Sequence, residues 1–299
     1  MLAIVGTIPD KDFPLVAGEV RLEDGNISIQ GRQVPVNRGT PALLAAAIKA
    51  TEILGQPAPF SYLVGDIGLG DGSRRLYEHL AQHLGKSDFQ TITFHYLQPD
   101  VDWHNRVLFA VEDMARRPIM IADAGYMYAA KMSGESAAYD LFTPDIGEMA
   151  FLADEEAPHP FYTRGFMLHE EDNVPELIAR AYKNDDAAHY LLVKGKQDYI
   201  ASQQGIQATI NNPMVEALEA MGGTGDTLTG IVSALVLAGI DLIESAIIAA
   251  KVNRVAGYYA KPTPATQVIE IVEQIPRAME EVLAEMEGVK SAIDCFALK

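Results

Sequence analysis

The chain has 299 residues, of which 48% are hydrophobic, which is enough for a sizeable core and argues against long disorder. The formal net charge of −18 repels phosphate backbones, so nucleic acid is a poor partner and any phosphorylated ligand must be bound locally. The longest apolar stretch, residues 231–250, contains Asp241 and Glu244 and is too charged for a membrane span. There is one cysteine, and the first residues lack signal-peptide features. We expect a cytoplasmic protein without an internal disulfide.

The elements predicted along the chain alternate between strands and helices. A strand at 1–6 is followed by a hairpin turning at Asp24-Gly25 and by a helix from Thr40 to Gly55. Further strands are predicted at 60–66, 91–97, 118–123, 139–144 and 189–195, and a hairpin at 199–210. Helices are predicted at 72–85, 103–117, 146–154, 174–184, 227–238 and 242–259. The last two helices are expected to close the core.

This alternation predicts an α/β fold with a mostly parallel central sheet and helices on both faces. We find no repeat or linker and therefore expect one domain over residues 1–299, with the hairpin around 18–31 as a small lid or dimer contact. Ligands of such sheets bind at the carboxyl ends of the strands, where several motifs fall.

A glycine-rich segment stands directly before an apolar helix at residues 222–230, Gly-Gly-Thr-Gly-Asp-Thr-Leu-Thr-Gly. Its glycines are expected to take positive φ, and its amides, with the N-terminus of a helix starting near Thr227, to form a concavity for phosphate. Asp226 is placed to act as general base on a hydroxyl that attacks phosphorus. A simple helix cap is the alternative for Asp226. The residues predicted for the phosphate cradle are Gly222, Gly223, Thr224 and Gly225.

Other residues fit a nucleotide site on physical grounds, each with a simpler alternative. Glu148 offers oxygen ligands to Mg²⁺, or is a solvated helix acid. Lys194-Gly195 ends an apolar strand. Its ammonium is expected to contact nucleotide phosphates, and the simpler alternative is a surface lysine beside a turn. Asn253 lines a nucleotide pocket or is a satisfied helix residue.

Substrate residues are predicted from position alone. They are Asp10, Asn37, Arg38, Gly39, Asp66 and Asp123, which precede a helix or follow a strand. Turn chemistry is the alternative for the aspartates next to glycine. Residues 154–172 hold two histidines among acids without metal-ligand spacing, and we expect a surface excursion or lid there.

The motifs of residues 119–260 resemble those of the ribokinase superfamily, closest to its NAD(P)H-hydrate dehydratase branch. The resemblance is carried by the glycine-rich segment, by Leu-Phe-Thr-Pro-Asp-Ile-Gly-Glu-Met at 141–149, by Leu-Leu-Val-Lys-Gly at 191–195, and by Ile-Ala-Asp-Ala-Gly at 121–125. It implies a ribokinase-like fold and a nucleotide-dependent phosphoryl transfer, in which ATP or ADP drives loss of water from hydrated NADH or NADPH.

Asp145 stands where the dehydratase branch has histidine, and Asp145-x-x-Glu148 is nearer to the Asn-x-x-Glu of the kinase branches. We predict that Asp145 helps to hold Mg²⁺. The segment at 64–80 also follows a kinase pattern, so a sugar or vitamin-precursor kinase is the alternative function. A nucleotide-binding regulator without turnover is the third, and assembly with further copies of the chain stays open.

Overall fold

The computed structural model describes residues 1–155, 173–263 and 265–286. The excursion predicted at 154–172 lies, from residue 156 onward, outside the described residues. The strands are β1 (Leu2–Ile8), β2 (Val16–Glu19), β3 (Arg21–Glu23), β4 (Asn26–Ile29), β5 (Arg32–Pro35), β6 (Phe60–Gly65), β7 (Thr91–Phe94), β8 (Ile119–Ala122), β9 (Leu141–Phe142), β10 (Tyr190–Val193), β11 (Asp198–Ser202) and β12 (Gly205–Ile210). The helices are α1 (Thr40–Ile53), α2 (Asp71–His83), α3 (Val101–Glu112), α4 (Gly125–Met132), α5 (Ile146–Ala153), α6 (Val174–Lys183), α7 (Thr224–Leu237), α8 (Leu242–Ala260), α9 (Val268–Val272) and α10 (Ile275–Glu285).

A nine-stranded sheet has the order β12-β11-β10-β9-β8-β7-β1-β6-β2. Strands β7, β8, β9 and β10 pair in parallel, whereas β11 runs antiparallel to β10. Strands β1, β7 and β8 at the centre of the sheet are buried along almost their whole length, as their mostly apolar sequences favour. The predicted mostly parallel sheet is therefore confirmed.

The chain divides into two compact units. Unit 1 comprises Met1–Ile4, Val16–Tyr62 and Ile210–Lys299, and unit 2 comprises Val5–Leu15 and Leu63–Thr209. In unit 1, α1 packs on α7, and α8 packs on α7 and α10. In unit 2, α2 packs on α3 and α5 packs on α6. The expectation of one domain over residues 1–299 stays a prediction.

The turn predicted at Asp24-Gly25 is present. Asp24 and Gly25 have φ values of 49° and 74°, and Glu23 pairs with Asn26 across the turn. A third strand, β5, which the sequence analysis missed, extends the hairpin into a small antiparallel sheet. Its role as a lid or dimer contact stays a prediction.

Several element predictions need correction. The helices α7 and α8 do not close the core, because α9 and α10 follow them and bury apolar side chains. Helix α4 and strand β2 were also missed. The start of α4 is unusual, since its N-cap Ala124 has φ 51° and ψ −136°. No local sequence pattern predicts this conformation.

The start of α7 also differs from the prediction. The helix begins at Thr224 rather than near Thr227, so Gly225 lies within its first turn. In the described glycine-rich segment, positive φ is confined to Gly223, at 101°, and the expectation for Gly222 and Gly225 was wrong. The start of this helix requires positive φ at a single residue, and Gly223 supplies it.

No helix among the described residues combines the length and the hydropathy needed to cross a membrane.

His104 is a buried polar residue in the core of unit 2. Its Nε2 lies 2.8 Å from the Tyr139 hydroxyl and its Nδ1 lies 3.0 Å from Ser133 Oγ. Burial lowers the pKa of His104 to about 4 from its usual value of 6.5. The folded protein therefore keeps this imidazole neutral.

We expect His104 to make stability fall as the pH drops from about 6.5 toward 4. As the pH falls, the unfolded chain binds a proton on this histidine before the folded protein does. The stabilisation from the neutral imidazole is therefore complete above the pKa of the unfolded state and is lost as the pH falls to the pKa of the folded state. Its size is about 3 kcal/mol. Urea unfolding of wild type and His104→Gln at several pH values measures it, and the variant should lose less stability in acid. The exposed His83→Gln is the control and should follow wild type. Equal acid losses in wild type and His104→Gln would contradict the assignment.

Candidate functional site

In unit 1, the predicted base is held at the contact between α1 and α7. Asp226 lies in the first turn of α7 and its residue is only 9% exposed. Its Oδ2 accepts a hydrogen bond of 2.7 Å from the N–H of Gly39, which is the N-cap of α1. The N-cap position of α7 is taken by Gly223, and Asp226 follows it by three residues. The general-base role of Asp226 stays a prediction, with a structural role at the start of the helix as its alternative.

Close packing of the two helices sets this contact. Gly230 follows Asp226 by one turn, and a Cβ at Gly230 would lie 2.2 Å from the carbonyl oxygen of Leu43, itself one turn after Gly39. The glycine lets the backbones approach, so the amide of Gly39 reaches the Asp226 carboxylate.

Arg38 lies against the glycine-rich segment. A Cβ at Gly222 would lie 3.5 Å from Cδ of Arg38, and one at Gly223 would lie 3.2 Å from its Cα. Within residues 1–155, 173–263 and 265–286, no ion pair or hydrogen bond occupies the Arg38 guanidinium. The structure thus brings a cation, the N-terminal amides of α7 and a buried carboxylate together in unit 1.

Asn253 holds the first turn of α7. Its Nδ2 donates to the Thr224 carbonyl at 3.0 Å, and the Thr227 hydroxyl lies 2.7 Å from its Oδ1. Both ends of the amide are used within the protein, which favours the satisfied-residue alternative. Its contact with a nucleotide stays a prediction.

In unit 2, two residues predicted for different ligands form one ion pair. Nζ of Lys194 lies 2.8 Å from Oδ1 and 3.0 Å from Oδ2 of Asp123. Both side chains are nearly inaccessible, with exposed fractions of 11% and 1%. Asp123 follows β8 and Lys194 follows β10, so the sheet brings the pair together as the strand-end rule predicts.

Asp145 and Glu148 form the capping box of α5. The Glu148 N–H donates to Asp145 Oδ1 at 2.7 Å, and the Asp145 N–H donates to Glu148 Oε2 at 2.8 Å. Burial and the neighbouring Asp145 carboxylate raise the pKa of Glu148 well above its usual value, and Lys194 opposes them. Two neighbouring carboxylates repel each other, and a bound cation would relieve that repulsion. Because carboxylate oxygens are hard donors, the cation they favour is Mg²⁺.

Asp66 organises the loop between β6 and α2. Its Oδ1 accepts N–H bonds from Gly68, Leu69 and Gly70, and its Oδ2 accepts from the N–H and hydroxyl of Ser73. Burial alone raises the pKa of Asp66, but these hydrogen bonds, led by those from Ser73, outweigh burial and lower it. The carboxylate thus has a structural role, and its contact with substrate stays a prediction.

We expect Asp66→Asn to destabilise the protein by about 1–2 kcal/mol, because the neutral amide is a weaker acceptor and brings an unmatched donor. Thermal and urea unfolding at neutral pH measure the loss. The control is Asp71→Asn, an exposed aspartate at the start of the same helix, which should change stability little. Equal effects at both positions would contradict the structural role.

The remaining predicted residues lie in turns. Asp10 is exposed and accepts from the Asp12 N–H, and its backbone packs against Gly65 at the end of β6. Asn37 is exposed beside Arg38. The Gly195 N–H donates to Asp198, a buried aspartate that the sequence analysis did not single out.

Sequence reasoning also missed His95. It follows β7 directly and is fully buried, with Nε2 3.9 Å from Asp123 Oδ2. The strand-end rule that selected Asp123 would have found it, since His95 holds the equivalent position on the neighbouring strand.

The chain is similar to one known family and to several known proteins. The family model described as NAD(P)H-hydrate dehydratase matches residues 98–277. An uncharacterized protein of Methanocaldococcus jannaschii is 40% identical over 81% of this chain and 100% of its own length. An ADP-dependent (S)-NAD(P)H-hydrate dehydratase of Cenarchaeum symbiosum is 28% identical over 53% of this chain, which spans 50% of that relative.

Among solved structures, the ADP/ATP-dependent NAD(P)H-hydrate dehydratase of Bacillus subtilis, co-crystallized with ATP/Mg²⁺, aligns with a TM-score of 0.55 at 16% identity. The alignment covers 94% of this chain and 89% of the other. Likeness at this identity concerns the fold alone, and it confirms the predicted ribokinase-like fold.

Proposed function

Since the chain belongs to the NAD(P)H-hydrate dehydratase family, we propose that it removes water from hydrated NADH or NADPH, with ADP or ATP as the phosphoryl donor. The observation that carries the proposal is the buried Asp226 carboxylate, fixed by the Gly39 amide in the first turn of α7.

The donor's phosphoryl groups bind at the N-terminus of α7. There the first-turn amides and the positive end of the helix dipole attract negative charge, as at other anion-binding helices. Arg38, beside Gly222, adds a cation that can contact two phosphate oxygens. These groups supply the local positive charge that a chain of net charge −18 needs.

Asp226 prepares the acceptor. It takes the proton of the hydroxyl on the hydrated nicotinamide ring, and that oxygen attacks the terminal phosphorus of the donor while the bond to the nucleotide breaks. Phosphate then leaves the ring carbon with the bonding electron pair, and the neighbouring carbon loses a proton. The products are NAD(P)H, phosphate, a proton, and AMP from ADP or ADP from ATP.

Asp145 and Glu148 would hold Mg²⁺ through the carboxylate oxygens that the capping box leaves over. Bound there, the ion would supply positive charge of the kind that phosphorylated ligands require. The closeness of the two carboxylates supports this assignment, because a cation would offset their mutual repulsion.

Activity is expected to require a divalent cation, and Glu148→Gln should raise the Mg²⁺ concentration needed for half-maximal rate several-fold. The control is Glu244→Gln, an acid in the first turn of α8. Full activity in excess EDTA would contradict the metal requirement.

The function is tested by incubating the protein with hydrated NADH and ADP or ATP while nicotinamide absorbance and phosphate release are followed together. Recovery of NADH equal to phosphate released supports the proposal, and Asp226→Asn should lose both. If ATP is consumed only with a small alcohol or vitamin precursor, and phosphate stays on the product, the chain is a kinase. A cytoplasmic location and a small-molecule partner belong to the same proposal.

A further inference from the structure

Two neighbouring strands of unit 2 end in the same way. Strands β7 and β8 are paired in parallel, with Phe94 opposite Ala122, so the residues that follow them, His95 and Asp123, stand side by side. The Asp123 N–H donates to the Phe94 carbonyl at 3.0 Å and continues the ladder by one residue. Both side chains are buried, with exposed fractions of 0% and 1%.

Each of these residues is followed by a non-glycine residue with positive φ. Tyr96 has φ 50°, and Ala124 has φ 51° with ψ −136°. Such conformations cost about 1–3 kcal/mol each in non-glycine residues and collect at functional sites. Two of them at the ends of adjacent strands turn the chain sharply after His95 and after Asp123.

Other contacts hold these turns. The Thr7 hydroxyl donates to the Tyr96 carbonyl at 2.8 Å. A Cβ at Gly125 would lie 2.5 Å from the Leu97 carbonyl oxygen, so the backbones after the two strands are in close contact. The Tyr96 ring packs edge-on against the His95 ring, with centroids 4.2 Å apart. The imidazole therefore has little freedom to move away from Asp123.

Three nitrogen groups surround the Asp123 carboxylate. Lys194 contacts both of its oxygens, the Ala124 N–H donates to Oδ1 at 2.8 Å, and Nε2 of His95 faces Oδ2 at 3.9 Å. A rotation of the carboxylate would therefore disturb both of its contacts with the Lys194 ammonium.

We infer that His95 is a positioning residue, which fixes the direction of the Asp123 carboxylate and, through it, the place of the Lys194 ammonium. Its effect on turnover rests on the proposed function, whereas its effect on Asp123 does not. If the Lys194 ammonium is displaced by about 1 Å, we expect the rate to fall by up to about 100-fold.

The test compares three substitutions of His95. His95→Gln keeps an N–H near the place of Nε2, His95→Asn is too short to reach Asp123, and His95→Phe keeps the ring packing on Tyr96 without a nitrogen. The exposed His83→Phe is the matched control. The first measurement is the ¹³C resonance of the Asp123 carboxyl carbon, assigned by its loss in Asp123→Asn.

The Asp123 resonance should shift in His95→Asn and His95→Phe and stay near wild type in His95→Gln and His83→Phe. The kcat for hydrated NADH should fall about 10- to 100-fold in the first two variants, with nucleotide KM changed less than threefold. An unshifted Asp123 resonance in folded His95→Asn or His95→Phe overturns the inference. If wild type lacks dehydratase activity, the proposed function fails, and the Asp123 resonance alone decides the role of His95.

Discussion

Replacing Asp226 by asparagine is expected to lower turnover by about 10²- to 10⁴-fold, the range typical for loss of a general base. The amide keeps an oxygen that can accept from the Gly39 N–H, so the contact between the helices and the fold should survive. Nucleotide affinity should stay nearly unchanged, because phosphate is held by the α7 amides and Arg38. Single-turnover rates and calorimetric titration with ADP measure the two effects.

The matched control is Asp241→Asn. Asp241 also begins a helix of unit 1, but it caps α8 through the Ile243 and Glu244 amides. Its substitution should leave turnover within about twofold of wild type and change stability little, because asparagine caps a helix about as well as aspartate does. If Asp226→Asn kept near-wild-type turnover, Asp226 would not be the base.

A second large effect is expected from Gly230→Ala. Helix propensity alone would make alanine more stable than glycine by about 1 kcal/mol. The new methyl group, however, would lie 2.2 Å from the Leu43 carbonyl oxygen, which is backbone and cannot move without moving α1. We therefore expect a net loss of about 1–3 kcal/mol in the free energy of unfolding. Denaturant unfolding measures it.

Gly257→Ala is a sharp control for this prediction. Its Cβ would meet Leu218 Cδ1 at 2.3 Å, almost the same distance, but that atom is the end of a flexible side chain. Leu218 can turn aside, so Gly257→Ala should change stability by less than about 1 kcal/mol. Equal losses in the two variants would show that rigid backbone contact does not set the spacing of α1 and α7.

Local patterns predicted much of the fold. The hairpin at Asp24-Gly25, the helix starting at Thr40-Pro41 and the strand before Lys194 all have strong sequence signals, and all are present. The missed helix α10 had a signal too, since Ile275, Ala278, Met279 and Val282 are buried at helical spacing. The start of α7 could not be read, because glycine is accepted both before a helix and in its first turn.

The candidate site was predictable as a set of residues and not as a set of contacts. Asp226 and Gly39 were both selected, yet their hydrogen bond joins positions 187 residues apart. Lys194 and Asp123 were assigned to different ligands, and only the order of the parallel strands makes them an ion pair. Local propensity carries no information on such pairs, because they depend on which strands become neighbours.

Because of the capping box of α5, the proposed cation would have a second effect, which is on the stability of that helix and not on the reaction. Asp145 and Glu148 already cap the N-terminus of α5 by accepting hydrogen bonds from two backbone amides. An ion bound to the same carboxylates would therefore also stabilise the first turn of α5. Binding and local folding would then be thermodynamically linked. Amide protons at residues 146–149 should exchange more slowly in Mg²⁺ without nucleotide or substrate. Ion binding could therefore be titrated in a protein that is not turning over.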